Sequence, residues 1–146
     1  MPIKDINKIP QFKIKLKQLK KYVVQVGILG NEPSPQGDRA NLALIAAANE
    51  YGTTVIPERS WLRSSFDDKS NFEEIKKIAD QIFDVDSIAK PILNKVGLKM
   101  VSLVQKKIKS NIPPANSTLT TMRKGGKDRT LMDTGRLSQG ITHEIK

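Results

Sequence analysis

The sequence predicts an α+β domain in which a small antiparallel sheet carries about three helices on one side, with a long basic loop before the C-terminal strand. Three observations lead there. Tyr22–Gly30 is a β-branched run, helical periodicity dominates the middle of the chain, and Ile141–Ile145 closes it with a second extended run.

The elements follow in order. Residues 1–21 form a lysine-dense segment in which Phe12, Leu16 and Leu19 share a helix face while Phe12, Ile14 and Leu16 share a strand face; a short helix is the favoured reading. Residues 22–146 are read as a single domain. Its best strand is Tyr22–Gly30, followed by a turn-rich stretch to Gly37 and by Asp38 as an N-cap. Leu42, Ile45, Ala46 and Asn49 then recur at helical spacing, and Gly52 supplies the stop. Thr53–Pro57 reads as a brief extended segment and Arg59–Phe66 as an amphipathic turn or short helix.

Ser70 with Glu73 has the form of a capping box opening a helix to about residue 83, with Phe72, Ile75, Ala79 and Ile82 on one face. A longer helix starts within 86–91 and reaches about Ser110, with Ile92, Val96, Met100, Leu103 and Val104 as its apolar stripe and Ile112-Pro113-Pro114 as its stop. From about 115 to 130 apolar periodicity disappears, and a flexible basic loop is expected to bind something or to order on assembly. A short helical turn over Gly135–Gln139 and the final strand complete the chain.

Composition narrows the function. One domain is expected from 146 residues, and hydrophobic and aromatic contents of 38% and 5% are lean for a globular protein, so some segments are expected to be ordered by partners. The absence of cysteine excludes disulfide frameworks, thiolate zinc sites and cysteine nucleophiles. Neither a signal peptide nor a run of about 20 apolar residues is recognisable, so a soluble protein is expected, with no membrane partner. Lys and Arg number 25 against 15 Asp and Glu, a net charge of +10 that points to an acidic neighbour, either nucleic acid or an acidic protein surface, with a solvated basic surface as the plain alternative. Lysine rather than arginine dominates the basic clusters at 13–21, 106–109 and 123–129 taken together, and no aromatic platforms accompany them, so any contact with nucleic acid is expected to be non-specific.

Catalytic and metal signals are weak. Asp133-Thr134-Gly135 has the letters of the aspartic-protease triplet, but only eleven residues follow it, too few for that fold's cleft and flaps; Asp133 or Thr134 is read as an N-cap. His143 is the single histidine and is read as a satisfied or surface residue, since zinc needs three or four ligands. Gly125-Gly126-Lys127 lacks the spacing of a phosphate-binding loop, and Asn116-Ser117-Thr118 is a chance match to a glycosylation acceptor. No enzyme activity, cofactor or metal is expected.

Four motifs occur in order: Val26-Gly27-Ile28-Leu29, Ala48-Asn49-Glu50-Tyr51-Gly52-Thr53, Ile56-Pro57-Glu58-Arg59-Ser60-Trp61-Leu62-Arg63, and Leu131-Met132-Asp133-Thr134-Gly135-Arg136-Leu137. Together they resemble the small morphogenesis proteins of long-tailed bacteriophages described as neck, tail-completion or tail-component proteins. The resemblance spans Tyr22 to Ile145 and leaves the N-terminal segment outside. It implies a structural virion subunit at the head-to-tail junction, assembled in the host bacterial cytoplasm. Its partners would be further copies of itself in a ring and other neck, connector or tail-tube proteins. The family commonly has proline and phenylalanine after the Glu-Arg pair, where this chain has Ser60 and Trp61, so the aromatic is kept and the stiffening is lost.

On that reading Arg59 and Arg63 reach acidic partners, Leu62 joins the contact, and Trp61 packs either on a neighbour or in the core. Arg123, Lys124, Lys127 and Arg129 belong to the loop expected to order when head and tail join. A stand-alone non-specific nucleic-acid-binding protein is the alternative, and a dimeric aspartic protease a distant one.

Overall fold

The computed structural model describes residues 8–29, 39–84, 87–132 and 135–146. The turn-rich stretch to Gly37 and the caps assigned to Asp38, Asp133 and Thr134 lie outside these. The architecture is α+β, a two-stranded antiparallel sheet with helices packed against it. No helix of the described residues is long and apolar enough to cross a membrane.

Helix α1 (Ile9–Leu19) has a proline in its first turn, which suits a position whose N–H has no intrahelical partner. Lys15 anchors it. The Lys15 side chain is buried and its ammonium donates to the carbonyls of Asp84 and Ser87 and to Oγ of Ser87, while Phe12 and Phe83 stack with centroids 6.0 Å apart. A charge withdrawn from water in this way is tolerated because its donors all find oxygens.

Strand β1 (Val24–Gly27) pairs with β2 (Thr142–Ile145) in the register Val24↔Ile145 to Gly27↔Thr142. Val23 and Lys146 exchange two further backbone bonds of 2.7 and 2.9 Å. Among the described residues the strand is shorter than the β-branched run and matches in length the four residues of β2 that pair with it. Helix α2 (Arg39–Tyr51) ends at Gly52, whose φ of +73° is a conformation that glycine adopts without strain. Thr53–Pro57 is not extended as expected: the Thr53 amide bonds the Ile56 carbonyl at 2.7 Å, and Thr53 Oγ1 accepts from the amides of Val55 and Ile56, folding the segment into a side-chain-closed turn.

Helix α3 (Arg63–Asp67) leads into α4 (Lys69–Ala79), which runs on as a 3₁₀ turn over Asp80–Phe83. The cap of α4 is Asp68, not Ser70: Oδ1 of Asp68 accepts from the Ser70 amide at 2.9 Å and from its hydroxyl at 2.7 Å. These two bonds hold the Asp68 carboxyl below its ordinary pKa. Asp68→Ala is therefore expected to fray the start of α4 and lower the melting temperature. The stabilisation is complete above pH ~3.9, the unfolded value, and lost as pH falls through the lower folded value. Thermal melts across pH 2–6 would check this; Asp68→Asn, which keeps an acceptor, should flatten the acid dependence.

Helix α5 (Ala89–Lys109) is the spine, packing across both strands and against α4. Its buried positions are Ile92, Val96, Gly97, Leu103, Val104 and Ile108, and the main core joins Val104 and Ile108 to Ala46, Trp61, Ile112, Leu137 and Ile141. Beyond Pro113-Pro114 the basic connection contains α6 (Thr118–Arg123), so the expectation of a loop without regular structure is corrected. The missed signal was Ser117, whose hydroxyl caps the helix through the Thr120 amide at 3.2 Å. Helix α7 (Arg136–Gln139) then turns the chain into β2.

Candidate functional site

The second and third motifs fold into one unit around Glu50. The last turn of α2 and the first turn of α3 meet end to end, which sets orphan carbonyls of one helix against orphan amides of the other. Glu50 joins them. Its Oε2 accepts from the amides of Trp61 and Leu62, both at 2.8 Å, and its Oε1 accepts from the Arg63 amide, Arg63 Nε and Ser60 Oγ, all at 3.0 Å. In return Trp61 Nε1 donates to the Ala46 carbonyl at 3.1 Å, the Arg59 amide to the Asn49 carbonyl at 2.7 Å, and Arg63 Nη2 to the Glu50 carbonyl at 3.2 Å. Burial by itself would raise the Glu50 pKa, but the combined donors outweigh it and hold the carboxyl below its ordinary value.

This arrangement decides what Arg59–Arg63 can offer a partner. Trp61 is 3% exposed and belongs to the core, so of its two readings the internal one describes the chain. Arg59 is also buried; its Nε donates to the Pro114 carbonyl at 2.7 Å and its Nη2 to the Ala115 carbonyl at 3.1 Å. Its guanidinium pins the start of the basic connection instead of reaching outward. Leu62 is half-buried against the core. Arg63 remains exposed but pairs within the chain, with Glu50 and, at 2.5 Å, with Glu58, and its guanidinium carbon lies 5.0 Å from the Tyr51 ring centroid.

The basic connection is pinned at its other end too. The Thr130 amide donates to Asn111 Oδ1 at 2.8 Å and its hydroxyl to the Ile112 carbonyl at 2.8 Å. Between the two anchors the Gly126 amide bonds the Thr121 carbonyl at 2.9 Å, and Asn116 Nδ2 bonds the Asp128 carbonyl at 3.1 Å. Both ends of the segment therefore leave from the C-terminal end of α5, the form of a compact surface loop closed by its own contacts. Lys124 is half-buried, with Nζ at 3.2 Å from the Arg129 carbonyl and 3.4 Å from that of Met132; Arg123, Lys127 and Arg129 are exposed.

Between α2, the 53–59 turn and this loop lies an open groove of about 750 Å³. Leu42, Ile45, Val55, Ile56, Leu131 and Leu137 give it an apolar lining, and Lys124 and Arg136 supply cationic side chains. Ile45, placed by its spacing on the helical stripe, is 53% exposed and faces this groove; Val55 is 86% exposed. Periodicity assigned Ile45 a face, but only the packed turns around it show that face to be a groove wall.

His143 is half-buried on β2 with Nε2 2.8 Å from Asn94 Oδ1, a satisfied histidine. Among the described residues no cluster of three or more His, Cys, Asp or Glu is placed to hold a metal ion.

Fold and site together define a small α+β domain whose three later motifs converge on a surface groove. Set against protein-family models, curated proteins and solved structures, the chain matches none.

Proposed function

We propose that the chain is a structural subunit of a long-tailed bacteriophage virion, a ring-forming neck or tail-completion protein that joins or caps the tail tube. One observation carries the reading. The second, third and fourth motifs, far apart in the sequence and recognised there by their resemblance to phage neck proteins, all contribute to the wall of one groove: Asn49 from the second, Pro57 and Arg59 from the third, Gly135, Arg136 and Leu137 from the fourth. A groove with apolar lining and cationic side chains suits a protein segment better than a nucleic-acid strand, because base stacking needs aromatic faces and none lines it.

Exposed apolar side chains elsewhere support the same reading. Leu44, Phe83, Ile88, Leu119 and Met122 are all more than half exposed, and a subunit that buries such groups against neighbours gains what a monomer in water forgoes. The net charge of +10 adds a long-range attraction toward acidic neighbours, packaged DNA among them.

Peptide mapping and electron microscopy of purified virions are expected to find this chain at the neck in several copies. Its absence from assembled particles sinks the proposal. If instead the isolated monomer binds duplex DNA with a steep inverse dependence on salt and the particles lack it, the nucleic-acid-binding alternative takes its place.

A further inference from the structure

Of the chain's three basic clusters, two are answered in part within the fold. On α4 and α5, Lys99 pairs with Glu74, and the Glu74 carboxyl is held below its ordinary pKa first by that bond and then by the nearby charges of Lys106 and Lys77. Lys107 likewise adds to the Ser70 bonds that lower Asp68. In the 123–129 loop Lys124 is turned onto the Arg129 and Met132 carbonyls, and Asp128 stands among the cations. The third cluster, on α1, has no such answer. Residues 8–29 contain no Asp or Glu, and none of the ion pairs among the described residues includes Lys13, Lys17, Lys20 or Lys21, all of them exposed.

These lysines share one face. At ~100° per residue Lys13, Lys17 and Lys20 fall within about 60° of arc, and Lys21 follows in the turn after them. The opposite face of α1 is turned onto the protein, where Lys15 donates to the Asp84 and Ser87 carbonyls and Phe12 stacks on Phe83. No ion pair among the described residues joins Asp80 or Asp84, the acids of the turn that receives this inner face, to the outer lysines, and Glu144 of β2 pairs with Lys146 at 3.6 Å. The buried lysine thus fixes which way the exposed ones point.

We infer that the outer face of α1 binds the phosphate backbone of duplex DNA without reading its sequence. The surface lies apart from the groove, and the inference does not depend on the virion reading. Four ammonium groups in a strip about 12 Å long suit a polyanion with a charge every ~3.4 Å along each strand, which offers a phosphate wherever a lysine falls. An acidic protein fits less well, because protein interfaces are depleted of lysine and enriched in arginine, and α1 has no arginine. An anionic membrane also fits less well, because a helix lying on lipid inserts one apolar face. Here the Phe12 face is turned onto Phe83, and the exposed Ile9, Ile14 and Leu16 flank the lysines on both sides instead of forming one.

Fluorescence anisotropy of the full chain with two duplexes of unrelated sequence, followed from ~50 to ~200 mM salt, tests this. Both duplexes are expected to bind alike, with log K falling against log salt at a slope of about −4 or steeper, roughly −0.9 for each phosphate contact. Changing Lys13, Lys17, Lys20 and Lys21 together to Gln should make the slope shallower by about 3–4. Changing Lys90, Lys95, Lys106 and Lys109 to Gln removes the same charge from other exposed positions and should alter it by less than about 1. Glutamine is nearly as good a helix former as lysine, so circular dichroism should show both variants folded, and Lys17→Gln alone, shallower by about 0.9, repeats the test at one position. Equal losses from the two quadruple variants would show an effect of net charge and overturn the inference. An unchanged slope in the α1 variant, or no binding at the lowest salt, overturns it too, as does preference for polyglutamate or for phosphatidylglycerol vesicles over either duplex. Failure here leaves the neck proposal standing, and absence of the chain from virions leaves this inference standing.

Discussion

Glu50→Gln is expected to be the most damaging single-atom change in the chain, lowering stability by about 3–5 kcal/mol, the range for removing one partner from a buried charged network. The reason is geometric. Both carboxylate oxygens accept from at least two N–H donors, Oε2 from the Trp61 and Leu62 amides and Oε1 from the amide and Nε of Arg63. Whichever way the glutamine amide is turned, its NH₂ faces two donors and leaves them unsatisfied, which costs more than never having made the bonds. Urea unfolding of the two proteins would check it, and a loss below 1 kcal/mol would show that the helix junction does not depend on the negative charge.

The same carboxylate gives a signed dependence on pH. Since its folded pKa lies below its unfolded one, its stabilisation is complete above pH ~4.3 and disappears as pH falls through the folded value. The Gln variant should therefore differ most from the natural chain near neutrality and converge on it in strong acid.

Gly97→Val is the second large effect. Gly97 sits where α5 crosses β2, and a Cβ built there clashes with the His143 ring, 2.2 Å from its Cδ2 and 2.6 Å from its Cγ. Either the helix lifts from the sheet or His143 swings out and leaves Asn94, whose Oδ1 it meets at 2.8 Å. Overpacking of this kind costs about 1–3 kcal/mol. The alanine variant makes a sharper test, because alanine favours a helix over glycine by about 1 kcal/mol. Gly97→Ala should destabilise the natural chain yet stabilise one that already carries His143→Ala, and that reversal of sign in a double-mutant cycle would identify the ring contact as the cause. Equal effects in both backgrounds would overturn it.

Much of the fold was legible because it depends on local pattern. The α5 stripe, the stop at Gly52 and the two strand runs follow from periodicity, a left-handed backbone position and β-branched composition, all of which are written in neighbouring residues. Where reading failed, a rival local signal was present. Ser70 has the right spacing for a capping box, but Asp68 stands two residues earlier and binds both the amide and the hydroxyl of Ser70. Ser117 lay in a stretch without apolar periodicity, so a six-residue helix held by its cap went unrecognised.

The candidate site was legible in its parts and not in its use. The motif from Ile56 to Arg63 marked a segment of importance, with Arg59 and Arg63 read as reaching acidic partners and Trp61 as packing either on a neighbour or in the core. Whether such side chains face a partner or the chain itself depends on what stands opposite, and Glu50, the Pro114 carbonyl and the Ala46 carbonyl stand opposite them. By itself the sequence determined an α+β chain with its elements in this order, cysteine-free and strongly basic, because periodicity, turn residues and charge are properties of residues near one another. Only the tertiary structure decided that Arg59 and Trp61 are internal, that the basic loop is pinned at both ends, and that residues from α2, the 53–59 turn and the loop line one groove. Those facts arise from groups distant in sequence meeting in space, where desolvation and hydrogen-bond geometry fix which of them face the solvent.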